Sequence, residues 1–261
     1  MTCRIALGIS YTGTQYKGWQ YQPGLPTLQG FVEAALSEIA KHPIQVTCAG
    51  RTDFGVHAFG QIVHFDTGVS RPLEAWTRGT NTYLPSDIRV HWAKEVPSDF
   101  NARRSAVKRR YGYVILNAPI APAVLRNHVT WVYTALDVNK MQTASQALLG
   151  EHDFSAFRGK HCQAKSPIRH LSHISCQRQG HYLLLTVEAN AFLHHMVRNI
   201  AGVLMAIGQG KEPIDWAQHV LASKSRCEAG ITAPSQGLYL EKVHYPEKFD
   251  LPNFTEVPWY T

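Results

Sequence analysis

The 261 residues are enough for one large domain or two modest ones with a buried core. A composition of 44 % hydrophobic and 17 % charged residues excludes a disordered chain, and a net charge of +7 suits a polyanionic partner, although it can also serve solubility alone. No apolar run reaches the length of a membrane span, and no charged segment followed by an apolar one opens the chain, so we expect neither a membrane protein nor a signal peptide.

The first hundred residues predict a split β-α-β, ferredoxin-like arrangement of strand, helix, strand, strand, helix and strand. Apolar residues alternate along the first strand, and Thr27 can cap the amphipathic helix. In chain order the predicted elements are a half-buried strand Ile5–Tyr11, a helix from Leu28 to about Lys41, strands 44–48 and 60–65, a helical stretch near 72–81 and a strand 88–92.

The loop from Thr12 to Pro26 carries aromatic residues among glycines and glutamines. Exposed aromatic rings in such a loop can stack on nucleic-acid bases. The alternative is that Trp19 anchors the loop to the body of the protein. Both interpretations stay open at this point.

A carboxylate lies in a glycine-bracketed turn, Gly50 to Ala58, between two predicted strands. The turn carries Asp53 at its centre and Arg51 two residues before it. Glycines permit a sharp reversal there, and strands on both sides hold the side chain in place. An aspartate in a turn is often structural, because it bonds its own backbone, so the local chemistry alone does not prove a catalytic role.

Five of the eight residues from Arg103 to Arg110 are basic and none is acidic. Such a run can be a solvated surface, but without acidic residues it favours contact with phosphates. It also indicates a domain junction. We therefore expect a domain over residues 1–104, a second over 105–246 and a C-terminal arm over 247–261.

The second half repeats the first arrangement loosely. Tyr111, Tyr113 and Ile115 share one strand face, and Met196 to Ile207 forms an amphipathic helix whose polar face carries His194 and Arg198. The other predicted elements are a helix 137–149, a hairpin of 173–176 and 182–189 about Gln179-Gly180, a helix 213–222 and a strand 237–243. The aromatic residues of the arm suggest that it packs against the protein.

The cysteines and histidines give no pattern of metal or disulfide chemistry. Five cysteines are dispersed without a C-x-x-C pair, which indicates free thiols in a reducing cytoplasm. His194 and His195 are adjacent, so on a helix they would point to different faces, and no H-E-x-x-H motif occurs. We expect no metal and no cofactor.

The sequence Gly50-Arg51-Thr52-Asp53-x-Gly55-Val56-His57-Ala58 closely resembles the active-site signature of the TruA family of tRNA pseudouridine synthases. The bulky Phe54 stands where that family usually has a smaller residue. Further stretches resemble the family in order: Gly18-Trp19-Gln20; Asn81 with Leu84-Pro85 and Asp87-Ile88; Arg110-Tyr111-Gly112-Tyr113; Gly150 with His152-Asp153-Phe154; His194-His195-Met196-Val197-Arg198-Asn199; and Gly237-Leu238.

The resemblance implies an α+β fold of two ferredoxin-like domains, whose mostly antiparallel sheets join beside a central RNA-binding cleft. It implies an isomerase that converts uridine to pseudouridine at positions 38, 39 and 40 of tRNA, in the cytoplasm, as a homodimer without a cofactor. Asp53 would be the catalytic carboxylate. Arg51 would lie by the vacated base stack or a phosphate, and Tyr111 would stack on the uracil. Leu238 would pack against the base and Arg198 would pair with Asp53.

Two other functions fit parts of the sequence. A non-catalytic RNA-binding module is one, since ferredoxin-like domains bind RNA through exposed strand aromatics, but the aromatic RNA-binding string of such domains is absent. The other is a hydrolase of the N-glycosidic bond that uses a carboxylate. Hydrolysis releases free uracil, whereas isomerisation keeps the base on the RNA.

Overall fold

A computed structural model describes residues 2–253. These residues form a mixed α+β fold in which most strands pair antiparallel, as the sequence predicts. The described strands are β1 Cys3–Tyr11, β2 Thr47–Cys48, β3 His57–Thr67, β4 Ile88–Val96, β5 Lys108–Asn117, β6 Thr130–Val132, β7 Gly150–Asp153, β8 Ile168–Gln179, β9 Tyr182–Ala189 and β10 Leu238–His244. The described α-helices are α1 Leu28–Ala40, α2 Thr80–Tyr83, α3 Val138–Ser145, α4 Met196–Gly208 and α5 Trp216–Ser223. None of these helices is long and apolar enough to cross a membrane.

The chain divides into two compact units. The first unit contains residues 2–107 and 239–253. The second unit contains Lys108–Leu238. The sequence places the boundaries at 104/105 and 246/247 instead. The difference lies mainly in β10, which pairs in parallel with β3 of the first unit.

In the first unit, β1 lies between β4 and β3 and is antiparallel to both. The prediction of a half-buried β1 is wrong, because Ala6 and Gly8 on its second face are also buried. A Cβ atom on Gly8 would lie 2.1 Å from Nε1 of Trp92, so the missing side chain lets the indole cover the strand. The first β-strand is therefore buried on both faces along its central residues.

The strand predicted over 44–48 is shorter than expected. Only Thr47 and Cys48 pair with β3. The preceding backbone donates instead to side chains of α1: the Ile44 N–H to Ser37 Oγ at 2.9 Å and the Val46 N–H to a Glu33 carboxylate oxygen at 2.9 Å. Helix α1 itself has the predicted Thr27 cap.

The helical stretch predicted near 72–81 begins with one π-helical turn, Ala75–Gly79, which continues into α2. The Thr80 N–H bonds to the Ala75 carbonyl, five residues back. Trp76 of this turn is buried and meets the edge of Phe65 on β3 at 5.1 Å between ring centroids. The stretch therefore packs on the β-strands of its unit.

In the second unit the strand order is β5-β9-β8-β7, all antiparallel neighbours, with β6 parallel to β5. The predicted hairpin is confirmed, and its turn uses Gly180 at a φ of 57°. The Asp137 carboxylate caps α3 by accepting from the backbone N–H groups of Asn139 and Lys140. The predicted inward residues of β9 are all buried: Leu183, Leu185, Val187 and Ala189.

The start of the predicted C-terminal arm packs against the first unit. Phe249 is buried and its ring contacts that of Phe100 at 5.0 Å between centroids. The Lys94 ammonium pairs with the Asp250 carboxylate at 2.6 Å. The rest of the predicted arm, with Pro258, Trp259 and Tyr260, lies outside the described residues.

Candidate active site

Asp53 lies in the turn between β2 and β3, where the sequence places it. The turn is closed by the Val56 N–H, which donates to the Asp53 carbonyl at 3.1 Å. Gly55 has a φ of 78°, a left-handed conformation that favours glycine. His57 then begins β3 directly. Asp53 is half-buried, so the structure places a carboxylate on a short, rigid connection at a partly exposed position.

The loop of residues 12–26 holds this turn from one side. The Trp19 N–H donates to the Thr52 carbonyl at 2.9 Å. Two glycines allow this close approach: a Cβ on Gly18 would lie 2.9 Å from the Thr52 carbonyl oxygen, and one on Gly13 would lie 2.0 Å from that of Val56. Trp19 is 1 % exposed, which favours the interpretation that it anchors the loop.

Two strands hold the turn from the other side through buried polar groups. The Tyr11 hydroxyl of β1 and the Thr52 hydroxyl lie 2.8 Å apart. The Gln61 side-chain amide of β3 donates to the Gly50 carbonyl at 2.6 Å and to the Tyr11 hydroxyl at 3.3 Å, and its oxygen accepts from the Gly50 N–H. Gln61 is fully buried. The backbone on the N-terminal side of Asp53 is therefore fixed by hydrogen bonds, and sequence reasoning missed both side chains.

Arg51 is exposed, and its guanidinium, like that of Arg103, acts electrostatically on the Cys48 thiol. Burial raises the pKa of the Cys48 thiol to about 12, and the positive charges of Arg51 and Arg103 oppose that shift. The thiol stays neutral at pH 7. Arg51 and the first residue of the basic run thus both lie within electrostatic range of Cys48.

Tyr111 and Tyr113 lie on β5, two residues apart. Tyr113 is fully buried, and its hydroxyl bonds to the Thr130 hydroxyl at 2.6 Å and donates to the Pro234 carbonyl at 2.8 Å. Tyr111 is 8 % exposed, and its ring meets the edge of Phe192 at 5.0 Å between centroids. The two rings therefore occupy different surroundings within the second unit.

Arg198 is the third residue of α4 and is half-buried. Its Nε donates to the Ala233 carbonyl at 2.8 Å, and the Ala233 N–H donates back to the Arg198 carbonyl at 3.1 Å. The adjacent Asn199 is fully buried and donates to the Phe157 carbonyl at 2.8 Å. These bonds hold the Arg198 side chain at its Nε and fix the first turn of α4.

The prediction that His194 lies on the polar face of this helix is wrong. The helix begins at Met196, and His195 before it has a φ of 62°. This left-handed residue turns the chain, so that the two imidazole rings stack at 3.8 Å between centroids ahead of the helix. The Gly159 N–H donates to the His194 carbonyl at 2.8 Å.

Leu238, the first residue of β10, is 6 % exposed. Its N–H donates to the Ser235 carbonyl at 2.9 Å. The preceding Gly237 accepts from the Val114 N–H at 2.8 Å, and a Cβ there would lie 2.7 Å from the Thr130 hydroxyl oxygen. Close packing thus explains the glycine of the Gly237-Leu238 pair.

The basic run divides into two parts. In the first part, the side-chain oxygen of Asn101 accepts from the backbone N–H groups of Arg103 and Arg104. Ala102, the residue before Arg103, is fully buried. The Tyr245 hydroxyl donates to the Ala102 carbonyl at 2.6 Å. This anchored turn leaves both arginines exposed.

The second part of the run has protein partners. Lys108 pairs with the Glu188 carboxylate at 3.1 Å, and the Arg109 guanidinium donates to the Asn190 carbonyl at 3.0 Å. Arg110 is half-buried. Arg103, Arg104 and Lys108 are the exposed basic residues of the run, and phosphate contact stays a prediction for them.

The predicted site residues are divided between the units. Asp53 and Arg51 belong to the first unit, and Tyr111, Arg198 and Leu238 belong to the second. Among the residues described, neither unit by itself brings together three metal-ligating side chains.

The sequence profile of tRNA pseudouridine synthases matches residues 8–103 and 144–246. The chain belongs to this family. The first matched range includes Asp53 and Arg51, and the second includes Arg198 and Leu238. Tyr111 lies between the two ranges, outside the match to this profile.

Individual family members are similar over nearly the full chain. A protein of Pseudomonas aeruginosa named tRNA pseudouridine synthase A is 54 % identical over 250 residues, which cover 95 % of this chain and 88 % of that one. Proteins with the same name from Vibrio parahaemolyticus and Coxiella burnetii are 53 % and 52 % identical. These matches cover 95 % and 98 % of this chain, and 94 % and 98 % of those relatives.

Proposed function

We propose that this protein isomerises uridine to pseudouridine at positions 38, 39 and 40 of tRNA, with Asp53 as the catalytic carboxylate. One observation carries the proposal: in a chain of the tRNA pseudouridine synthase family, Asp53 lies at a partly exposed position on a turn held on both sides. Rigid support of this kind is what a reacting side chain needs, because it fixes the carboxylate before the substrate binds.

The reaction is an internal rearrangement. The bond from uracil N1 to ribose C1′ breaks, the base turns, and C5 bonds to C1′. The proton on C5 leaves and N1 gains one, so that no atom or electron is gained or lost overall. Asp53 acts either as a nucleophile at C1′ or as a base toward the sugar. No step requires a redox cofactor.

The target uridine has to leave its stack before the carboxylate can reach C1′. Arg51, exposed beside Asp53, is proposed to lie by the vacated stack or a phosphate. Tyr111 is proposed to stack on the flipped uracil and Leu238 to pack against it. Arg198 is proposed to pair with Asp53 and keep it ionised, since an opposite charge favours the ionised form of a carboxylate.

The partner is tRNA, and the exposed guanidiniums of Arg51, Arg103 and Arg104 together with the net charge of +7 support phosphate contacts. We also propose that the protein works as a homodimer in the cytoplasm. Sedimentation of the purified protein tests the dimer: the proposal requires a species with twice the mass of one chain, and a monomer at assay concentration contradicts it.

Transfer of tritium tests the reaction class. The protein is incubated with tRNA that carries tritium at uracil C5, and tritiated water and free base are measured separately. Isomerisation predicts tritium in water with no free uracil. Free uracil without tritium in water would show a hydrolase, and tRNA binding without either product would show a non-catalytic RNA-binding protein.

A further inference from the structure

Phe54 is an exposed aromatic residue in a turn that is otherwise held to the protein. Its side chain is 55 % exposed, whereas Thr52 and Gly55 on either side of the Asp53–Phe54 pair are buried. An isolated exposed apolar residue is ordinary on a protein surface. This one, however, follows the proposed catalytic carboxylate directly, and consecutive Cα atoms lie about 3.8 Å apart.

A cation lies over the ring. The ammonium of Lys17 is 5.0 Å from the centroid of Phe54, in the range of a cation–π contact. Lys17 is itself exposed, so the ammonium stays in contact with solvent. The pair thus presents an aromatic ring and a positive charge together at the surface next to Asp53.

The backbones that carry these two side chains are fixed. The Lys17 N–H donates to the Pro26 carbonyl at 2.8 Å. At the next residue, Gly18 lies so close to the turn that a Cβ there would be 3.3 Å from the Phe54 nitrogen. The backbones that carry the ring and the ammonium are therefore held in place before any ligand binds, which lowers the entropy lost on binding.

We propose that Phe54 stacks on the base of the nucleotide immediately next to the target uridine, while Lys17 binds a phosphate of the same strand. This inference rests on the proposed function. Flipping the uridine leaves its neighbours with one unstacked face, and an aromatic ring can cover that face whatever the base is. The ammonium of Lys17 at the ring and the exposed Arg51, three residues before Phe54, suit the phosphates that accompany that base.

The test is a double-mutant cycle between the protein and the RNA. Binding of Phe54→Ala and wild-type protein is measured with three tRNAs: intact, abasic at the nucleotide 5′ of the target uridine, and abasic at the nucleotide 3′ of it. We expect Phe54→Ala to weaken binding of intact tRNA about tenfold. With one of the two abasic tRNAs the substitution should change binding less than twofold, since the stacking partner is already gone.

Two variants accompany the cycle. Phe54→Trp should bind intact tRNA as tightly as wild type, because it keeps the aromatic surface. Tyr83→Ala is the matched control, since Tyr83 belongs to the same unit and is 54 % exposed, and it should leave binding unchanged. Lys17→Met should lower the salt slope of log affinity by about 0.7–0.9, as expected for one lost phosphate contact.

The inference is overturned if Phe54→Ala weakens binding equally for all three tRNAs, or not at all. A loss of dimer mass in Phe54→Ala with unchanged tRNA affinity would assign the ring to a contact between two copies of the chain. A different result contradicts the proposed function, namely that the wild-type protein releases no tritium from C5-labelled tRNA.

Discussion

Tyr111 and Tyr113 are identical residues on one strand face, but their surroundings differ. The hydroxyl of Tyr113 has two partners within the core, and burial raises its pKa well above the usual range. It therefore remains protonated and structural at neutral pH. Tyr111 is the residue that the family resemblance assigns to the uracil, and it contacts Phe192 at the edge of its ring.

Replacing Tyr111 by Phe separates stacking from the hydroxyl. We expect tRNA affinity within about threefold of wild type, since the ring can still stack, and a large drop in turnover. Tyr113→Phe is the control. It should lower the free energy of unfolding by about 1–3 kcal/mol, because buried partners lose a hydrogen bond, while turnover per folded molecule stays unchanged. Normal turnover in Tyr111→Phe would leave Tyr111 as a stacking residue only.

Arg198→Met tests the proposed ion pair with Asp53. Without the guanidinium, the carboxylate accepts a proton more easily, so turnover should fall and the acid limb of the pH–rate profile should move to higher pH. Arg198 is half-buried, so the loss of stability should be about 1–2 kcal/mol, from the bond to Ala233, rather than the 3–5 kcal/mol of a fully buried pair.

Arg226→Met is the matched control for this substitution. The Arg226 guanidinium donates to the Gly230 carbonyl and the Thr232 hydroxyl, both within the second unit. This variant should lose stability without moving the acid limb. If the acid limb of the Arg198→Met variant also stays at the same pH, Arg198 does not act on the proposed catalytic carboxylate.

At the scale of elements, the loop of residues 12–26 contacts the Asp53 turn in addition to the strands that flank it. Gly18 has a φ of 86°, and its missing side chain lets the Thr52 carbonyl approach. Gly24 in the same loop has a φ of 74° but nothing within 4 Å of a would-be Cβ. The two glycines therefore share a left-handed conformation but differ in what a side chain would displace.

Gly18→Ala and Gly24→Ala exploit this difference. Gly24→Ala should cost about 1–2 kcal/mol of stability, because alanine is disfavoured in the left-handed region. Gly18→Ala should cost more, because its methyl group would also lie 2.9 Å from the Thr52 carbonyl oxygen. Only Gly18→Ala should also lower turnover per folded molecule, since its methyl group pushes on the turn. Thermal unfolding and tritium release measure the two effects. Equal turnover in both variants would show that the loop does not position Asp53.

The elements that periodicity could predict are those whose backbone pairs regularly. The long strands and α1 carry clear alternation or helical spacing, and they are where the sequence predicts them. The strand predicted over 44–48 is shortened because the side chains of Ser37 and Glu33 on α1 accept hydrogen bonds from backbone N–H groups that a neighbouring strand would otherwise bind. Periodicity cannot reveal such side-chain competition.

The support of the site could be predicted only in part. Gln61 shares a face of β3 with Val63 and Phe65, so a polar residue at an inward position was a usable signal of a buried hydrogen-bond network. No comparable signal marks the left-handed His195, which moves His194 off the helix, because positive φ is uncommon for residues other than glycine.

At the scale of the molecule, the domain division depends on one long-range pairing. Tyr239 and Leu240 pair with His57 and Ala58, more than 180 residues earlier in the chain. Local alternation predicts that β10 is a strand but cannot tell which strand it joins. The sequence therefore assigns all of residues 105–246 to one domain, whereas the chain returns to the first unit at Tyr239.

The exposed pair Arg103 and Arg104 should carry part of the tRNA affinity. Alanine at both positions should flatten the slope of log affinity against log salt by about 1.4–1.8, and weaken all tRNAs alike. The same change of charge at Arg71 and Arg78, also exposed in the first unit, is the control. If both double variants change the slope equally, net charge rather than contact explains the effect.

The central claim, that the Asp53 carboxylate performs the isomerisation, is tested most directly by Asp53→Asn. Tritium release from C5-labelled tRNA and tRNA affinity are measured in parallel, with Asp99→Asn, an exposed carboxylate paired with Lys248, as the control. We predict that Asp53→Asn binds tRNA within about threefold of wild type and releases no tritium, because an amide is neither nucleophile nor base. Tritium release within tenfold of wild type would contradict the assignment of Asp53.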